Sequence, residues 1–435
     1  MTAPGAPVVE SWATREFGLA LDHVDSDAGY TVPQLVEPGL RRNPRRAHLL
    51  VSTVLGKHLP TAPDVVIAAG DRLGDLVLAA LGVPAERESE VDVTVLGFAE
   101  TATGLGHCVA TRMRARCYLH STRRDVPGAR TFAGFEEGHS HATSHLLQPT
   151  SPDLLADDCP MILVDDEIST GATAVDAIRA LHAHHPRGRY IVASLVDMRT
   201  GRHRDQTEAA AADLGVTIDF VSLASGRTVL PEGLIERVVA LPDPVLNPIS
   251  GDRGTVERIE LPWPAAVPDG GRHGFLHSDA DDFDAAITAA ATELATRVDP
   301  DHPAVVIGHE ELMYLPLRLA AALGASGREV RFQTTTRSPA YVLDEPGYPL
   351  RRGYTFVAPE GDDTAARYLY NAHWPDDPAV RPLLIVVADS PADTDRLHVG
   401  GGLLDVLTAA GNDVLLAVVP AADPRYLARM RQDPA

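Results

Sequence analysis

Lysine and cysteine are both scarce in this sequence. Lys57 is the single lysine, so nearly every cation is an arginine, and a mechanism that needs a catalytic lysine has one candidate. The three cysteines, Cys108, Cys117 and Cys159, fit neither a disulfide framework nor a CxxC metal site. This usage agrees with a reducing compartment, and we expect a cytoplasmic protein.

Basic charge and long apolar runs are lacking as well. The formal net charge of -22 argues against a broad surface for nucleic acid or anionic membrane, because such surfaces neutralise phosphates with cations. The longest apolar runs, such as residues 383–388, are far shorter than a membrane span, and the first ten residues lack a secretory signal. We therefore expect a soluble protein without nucleic-acid or membrane partners, in which any phosphorylated ligand is held locally.

Four segments share a pattern of a β-branched run, a Gly/Thr/Asp turn and an Ala/Leu-rich stretch of helical period. They cover residues 91–112, 161–185, 305–323 and 383–410. Strands that alternate with helices predict an α/β fold with a mostly parallel sheet, whose ligands bind beyond the carboxyl ends of the strands. The length of 435 residues suggests two domains, divided in the Pro/Gly-rich stretch 240–271. We place them at residues 1–247 and 248–435.

Short matches in a common order link the two halves. VLGFAE at residues 95–100 resembles VIGHEE at 306–311, STR at 121–123 resembles TTR at 335–337, and VDDE at 164–167 resembles VADS at 387–390. Matches this short also arise by chance. The second half is therefore either a diverged copy of the first or a separate α/β domain.

The run MILVDDEISTGATA at residues 161–174 places three carboxylates beside a turn of small hydroxyl residues. We expect a strand at residues 161–164 and a helix from about Thr173, so that the intervening backbone N–H groups converge on an anion. A plain helix cap would explain one threonine but not the whole loop with its three acids. Because a phosphate alone would be repelled by carboxylates, the ligand should also present hydroxyl groups, as a sugar phosphate does.

DDEISTGAT resembles the 5-phosphoribosyl 1-diphosphate (PRPP) signature of type I phosphoribosyltransferases. The resemblance implies that Asp165 and Asp166 hold the ribose hydroxyls as catalytic residues and meet Mg²⁺ indirectly, through the ion bound to PRPP. It also implies that the 5-phosphate is bound by Ser169, Thr170, Gly171, Ala172 and Thr173, and that Glu167 is a further PRPP-binding residue. The same family keeps its diphosphate loop where this chain has Ala99, Glu100, Thr101, Ala102, Thr103 and Gly104. Arg123 and Arg124 occupy the position of its basic dipeptide, although such a pair is also typical of a solvated strand end.

The family places a mobile lid between Arg124 and Asp165. Orotate-type enzymes use a lid lysine, and this segment has none, which puts orotate in doubt as the acceptor. Proton transfer would instead fall to Glu136, Glu137, His139, His141 or His145. The same histidines also suit a zinc site, and a solvated loop is a third interpretation.

Residues 1 to about 90 would form the hood that covers the acceptor in this family. The basic run at residues 41–46 is typical of a solvated face or a subunit contact rather than of a site.

The segment QTTTRSPAYVLDEPGYPLRRGYTF at residues 333–356 resembles the TRSP domain that follows phosphoribosyltransferase domains in proteins encoded among tellurite-resistance genes. Its counterpart of the PRPP signature, VADSPADTDR, lacks both the acid pair and the anion loop. We expect Glu310, Glu311, Arg337, Ser338 and Tyr341 to bind a different ligand or the acceptor, or to form an interdomain surface.

The leading hypothesis is a Mg²⁺-dependent transferase that moves ribose 5-phosphate from PRPP to a base-like or small heterocyclic acceptor and releases pyrophosphate. The expected context is the biosynthesis of a nucleoside-like compound. The alternatives are a non-catalytic PRPP- or nucleotide-binding regulator and a PRPP-dependent hydrolase. By analogy with the family we expect a homodimer.

Overall fold

The computed structural model describes residues 10–86, 89–136, 144–360, 365–375, 377 and 379–432. The strands are β1 (Ala20–Asp25), β2 (Val36–Leu40), β3 (His48–Ser52), β4 (Val91–Gly97), β5 (Ala115–His120), β6 (Ala133–Glu136), β7 (Ser144–Leu147), β8 (Met161–Ile168), β9 (Arg189–Asp197), β10 (Thr217–Val229), β11 (Val256–Glu260), β12 (Phe275–Leu276), β13 (Ala304–Gly308), β14 (Val330–Thr334), β15 (Gly353–Val357), β16 (Ala366–Tyr370), β17 (Leu383–Asp389) and β18 (Val414–Val419). The helices are α1 (Trp12–Phe17), α2 (Val32–Leu35), α3 (Pro63–Leu81), α4 (Thr103–Met113), α5 (Ala172–His184), α6 (Gly201–Leu214), α7 (Leu234–Val239), α8 (Ala280–Ala295), α9 (Tyr314–Ala325), α10 (Leu403–Ala409) and α11 (Pro424–Gln432), with 3₁₀ turns at Pro152–Leu155, His277–Asp279 and Asp395–Leu397.

The first sheet has seven strands in the order β1-β10-β9-β8-β4-β5-β12. The five strands from β10 to β5 run parallel, and β1 and β12 are antiparallel edge strands. The first four residues of β8 are fully buried, as expected of a central parallel strand covered by helices on both faces. The α/β prediction with a mostly parallel sheet is confirmed.

The second sheet is parallel throughout, in the order β11-β18-β17-β13-β14. All five residues of β13, which lies between β17 and β14, are buried. The four predicted strand–turn–helix segments are present as β4–α4, β8–α5, β13–α9 and β17–α10. A second sheet domain therefore follows the first, as predicted.

The two sheets share one hydrophobic core. Val95 and Ile162 of the first sheet belong to the same buried cluster as Val306 and Ile385 of the second. Helix α4 is rich in small residues and packs close to α9, so that a Cβ on Gly104 would lie 2.9 Å from Met313 Cβ. Beyond the predicted boundary, β11 joins the second sheet while β12 returns to pair with β5 of the first. The division at residue 247 stays a prediction, and the packing of the halves is intimate.

Within the described ranges, no helix is both long enough and apolar enough to cross a membrane.

Candidate functional site

The acid pair lies at the carboxyl end of β8. The strand continues past the predicted Val164 to Ile168, so the three acids are its last polar residues. The Asp166 backbone N–H donates to Asp165 Oδ1 at 2.9 Å. Burial raises the pKa of Asp166 above its ordinary value of 3.8, and the charge of Lys57 opposes that rise. Glu167 is engaged separately, in an ion pair of 2.6 Å with Arg46.

The turn after β8 leads directly into α5. Gly171 adopts a left-handed conformation with φ 83°, and the helix begins at Ala172, one residue before the predicted Thr173. The Ala172 N–H donates to Thr170 Oγ1 at 3.2 Å. The start of a 13-residue helix concentrates unpaired N–H groups and the positive end of the helix dipole, which suits an anion.

A cavity of about 210 Å³ opens over these elements. Its described lining comprises Arg41, Arg46, Leu49, Leu50, Lys57, His58, Phe98, Ala99, Thr101, Asp165, Asp166, Glu167, Ile168, Ser169, Thr170, Gly171, Thr173, Ala174 and Ser338. The structure thus brings together most of the predicted acid and phosphate-loop residues, part of the predicted diphosphate loop and one residue of the second domain. Ala172 is exposed and is not among the lining residues.

The predicted diphosphate loop divides its residues between the cavity and the second domain. Ala99 and Thr101 line the cavity, and the peptide bond between Ala99 and Glu100 is cis. Glu100 points instead to the second domain, where its Oε1 accepts from the Arg337 N–H at 2.8 Å. The Thr103 hydroxyl donates to the Glu311 carbonyl at 2.9 Å. Ala102 and Gly104 are buried in the α4 packing.

Arg123 and Arg124 are not among the described residues that line the cavity. Arg123 Nη2 donates to the Ala99 carbonyl at 3.3 Å, so this side chain stabilises the backbone of the predicted diphosphate loop. The Arg124 guanidinium is only 10% exposed and pairs with Asp389 at 2.8 Å and with Glu360 at 2.5 Å. The second domain therefore engages the arginine that the sequence pattern assigned to the diphosphate.

The predicted lid is a hairpin of β6 and β7, of which the tip lies outside the described residues. Glu137, His139 and His141 fall there, and the Glu136 side chain is likewise outside the description. His145 is fully buried, stacks on Phe135 with ring centroids 4.6 Å apart, and bonds through Nδ1 to Ser121 Oγ at 2.8 Å. Because Ser121 Oγ accepts the Ala99 N–H at 2.9 Å, His145 is placed to support the diphosphate loop rather than to face the cavity.

The second-domain residues have different surroundings. Glu310 and Glu311 are buried, and the Arg337 guanidinium binds Glu310 at 2.7 Å. Burial by itself would raise the pKa of Glu310, but His309 and the nearby arginines lower it overall. Tyr341 lies in the hydrophobic core, whereas Ser338 reaches the cavity. An interdomain surface therefore describes Glu310, Glu311 and Arg337, and Ser338 alone of the five meets the first site.

Sequence reasoning missed Arg41, Arg46, Lys57 and His58. Lys57 Nζ donates to Thr101 Oγ1 at 3.1 Å across the cavity. His58 is 2% exposed, and neither of its ring nitrogens has a hydrogen-bond partner among the described residues. Burial, followed by the charges of Lys57 and Arg41, lowers the pKa of His58 well below 6.5. The one sequence signal that could have indicated Lys57 was the rarity of lysine. The basic run at residues 41–46 was interpreted as a solvated face or subunit contact, but Arg41 and Arg46 line the cavity.

Comparisons of the sequence with protein families match two models. The phosphoribosyl transferase model matches residues 35–227, and the model of the TRSP domain C-terminal to that transferase matches residues 269–407. The first domain therefore matches the phosphoribosyl transferase family, and the second matches the TRSP domain that follows such transferases. No curated protein matched the sequence.

Solved structures that are similar to part of the chain include adenine phosphoribosyltransferases. The enzyme from Rhodothermus marinus is 16% identical, with 43% of this chain and 94% of that chain covered and a TM-score of 0.30. The enzyme from Trypanosoma brucei, in complex with AMP, pyrophosphate and ribose-5-phosphate, is 12% identical over 45% and 78% of the chains, with a TM-score of 0.32. The Leishmania donovani enzyme is 11% identical over 47% and 86%, also with a TM-score of 0.32.

The transferase cavity carries a donor set that fits Mg²⁺. Asp165, Asp166, Thr101 and Ser169 all line it, and the oxygen atoms of such side chains are the hard ligands that Mg²⁺ prefers. A second cluster, His309, Glu310 and Glu360, has ligand atoms within 4.8 Å of one another. There, however, Arg337 and Arg367 bind Glu310 and Arg124 binds Glu360, so guanidinium groups already neutralise the carboxylates.

Proposed function

We propose that the chain transfers the 5-phosphoribosyl group of PRPP to a small heterocyclic acceptor and releases pyrophosphate. The observation that carries the proposal is the cavity itself, which gathers the acid pair of β8, the anion-binding turn before α5 and the turn after β4. A ligand that fits these three elements must present hydroxyls, a phosphate and a second anionic group together.

The chemistry of the residues that line the cavity assigns each part of PRPP to its binding groups. Asp165 and Asp166 accept hydrogen bonds from the ribose hydroxyls, since ionised carboxylates are acceptors only. The turn around Gly171 binds the 5-phosphate through backbone N–H groups at the helix start. These roles make the acid pair and the turn a single ribose-phosphate site.

Lys57 is the cation we assign to the diphosphate. It bonds to Thr101 of the diphosphate loop, and Arg124 is held elsewhere by Asp389 and Glu360. An ammonium group is a strong point charge with three donors, which suits a phosphate oxygen without the fixed geometry of arginine.

The acceptor is assigned to the apolar lining residues Leu49, Leu50 and Phe98, together with His58. Apolar side chains with one polar group are typical of a site for a flat heterocycle. A neutral imidazole offers one donor and one acceptor in diverging directions, so an acceptor with a ring nitrogen, an N–H or a carbonyl at its edge would bond to one nitrogen of His58.

In the reaction, the acceptor nucleophile forms a bond to C1′ of the ribose while the bond from C1′ to the diphosphate oxygen breaks. The electron pair leaves with pyrophosphate, and a nitrogen nucleophile releases its proton to the departing pyrophosphate or to solvent. Bound Mg²⁺ would neutralise charge on the leaving group. The protein aligns the ribose by binding both its hydroxyls and its 5-phosphate. Lys57 stabilises the negative charge that develops on the oxygens of the leaving diphosphate.

The experiment replaces Asp165 and Asp166 together by Asn. We expect PRPP consumption to be lost while the melting temperature is retained, because neutral amides keep the size of the side chains and remove their charge. Pyrophosphate release against a panel of purines, pyrimidines and small heterocycles, with mass spectrometry of the product, measures the turnover. A matched double change at the exposed Asp205 and Asp213 of α6 should leave it unchanged.

Three outcomes separate this proposal from its rivals. Turnover that persists in the Asp165→Asn, Asp166→Asn variant would sink the site assignment. Pyrophosphate release without any acceptor would indicate a hydrolase. PRPP binding by calorimetry without release under any condition would indicate a regulator.

A further inference from the structure

The second domain repeats the strand arrangement of the first. The central order β9-β8-β4-β5 recurs as β18-β17-β13-β14, with parallel pairing throughout. A β-hairpin, β6–β7, stands in sequence between β5 and β8, and another, β15–β16, stands between β14 and β17. The same connection therefore joins the same neighbours in both halves.

The strand registers identify counterparts residue by residue. The last residues of β4 and β5 pair with each other, and so do the last residues of β13 and β14. Arg124 lies four residues after the end of β5 and Ser338 lies four residues after the end of β14, so these two residues are counterparts. The last residue of β4 also pairs with Val164, and the last of β13 with Val387. Two residues further along, Asp166 and Asp389 are counterparts.

The contacts between the halves are reciprocal. Glu100 accepts from the Thr336 hydroxyl and from the next backbone N–H at 2.8 Å. Its counterpart Glu311 accepts from the Thr122 hydroxyl at 2.7 Å and from the next backbone N–H at 2.6 Å. An interface in which each partner offers the same groups to the other is the signature of a two-fold axis.

One pair of counterparts breaks this symmetry. Arg124 enters the second half and binds Asp389 with two hydrogen bonds of 2.8 and 3.1 Å, while its other end pairs with Glu360. Ser338 enters the first half at the cavity that holds Asp166. A long cation fills one site and a short hydroxyl leaves the other open.

We propose that the TRSP domain is a diverged copy of the transferase domain that acts as its internal partner, with its own ligand site closed by Arg124. The copy completes the open site by supplying Ser338 and by holding the loop of Lys57 and His58. That loop is fixed by paired backbone bonds between Thr61 and Phe332 and by Asn371 Nδ2, which donates to the His58 carbonyl at 3.3 Å. The statement about PRPP rests on the proposed function.

The test introduces an arginine into the open site of the first domain, because an arginine closes the corresponding site of the second domain. In Ser338→Arg, the new guanidinium should reach Asp166 as Arg124 reaches Asp389, and calorimetry with PRPP and MgCl₂ should then show loss of binding with the melting temperature retained. Ala289→Arg, which adds the same guanidinium at an exposed position of α8, is the matched control and should bind PRPP like the wild type. The wild type should bind one PRPP per chain, since the second site is filled.

Each result decides the matter. Wild-type affinity in Ser338→Arg, or two PRPP bound per wild-type chain, would overturn the inference. Absence of PRPP binding by the wild type would defeat the proposed function instead. In that event a crystal structure of Ser338→Arg still decides, because the introduced guanidinium lies either on Asp166, as the symmetry requires, or away from it.

Discussion

The single lysine of the chain lies where the proposed diphosphate would be bound. Lys57 faces Thr101 and the acid pair, while Arg46 is committed to Glu167 and Arg124 to the second domain. The residue therefore supplies a cation that these two arginines do not.

Replacing Lys57 by Ala should weaken PRPP binding. A hydrogen bond to a charged group is worth about 1.5–3 kcal/mol, or roughly ten- to hundredfold in Kd. Calorimetry with PRPP and MgCl₂ measures the change. Lys57→Arg should recover part of the affinity because it restores the charge, and Arg202→Ala, at an exposed position of α6, is the control. Equal affinities of Lys57→Ala and the wild type would remove Lys57 from the site.

At the scale of elements, the turn between β8 and α5 depends on one backbone conformation. Gly171 has φ 83°, and a Cβ there would lie 2.9 Å from Thr207 Cγ2 and 3.3 Å from Arg199 Cδ. A side chain at this position both strains the backbone and displaces the turn from α6.

Gly171→Ala should therefore weaken PRPP binding at least tenfold and lower the melting temperature. The left-handed conformation alone costs an alanine about 1–2 kcal/mol. Gly201→Ala is a matched control, since no atom lies within 4 Å of the added Cβ and φ there is unexceptional. Unchanged affinity in Gly171→Ala would mean that the turn does not bind the phosphate.

The elements that sequence could predict are those whose signal is local. The strand, turn and helix around Asp165 are contiguous, so period and composition reveal them together. Lys57 and Ser338 reach the cavity only through packing between segments that are distant in sequence. The residues adjacent to them carry no pattern that predicts a binding site. The position of Arg124 was likewise predictable, but its partner was not, because the choice between a ligand and Asp389 depends on the second domain.

At the scale of the molecule, buried histidines make stability depend on pH. Burial is the main cause that lowers the pKa of His120 and of His273 to about 4, from 6.5. Between these values the unfolded chain binds protons that the folded chain does not, so acid favours unfolding. Glu311 and Asp389, whose pKa values are also lowered by nearby arginines against the effect of burial, extend the loss to lower pH.

The free energy of unfolding should accordingly be nearly constant above pH 6.5 and fall from there towards pH 4. The slope should reach about 1.4 kcal/mol per pH unit for each such histidine. Urea unfolding at a series of pH values measures it, with the range from pH 7 to 8 as the internal reference. A flat profile between pH 6.5 and 4.5 would show that these imidazoles become protonated in the folded protein.

The reciprocal contacts between the halves are formed within one polypeptide. In a dimer of separate chains, a residue that one subunit contributes to the site of the other is lost when dilution dissociates the dimer. Here the second domain contributes the residue, and its local concentration is set by the connecting segment alone. The two surfaces are also made in equal number at every expression level. The open site is therefore as complete in a single molecule as in a concentrated solution.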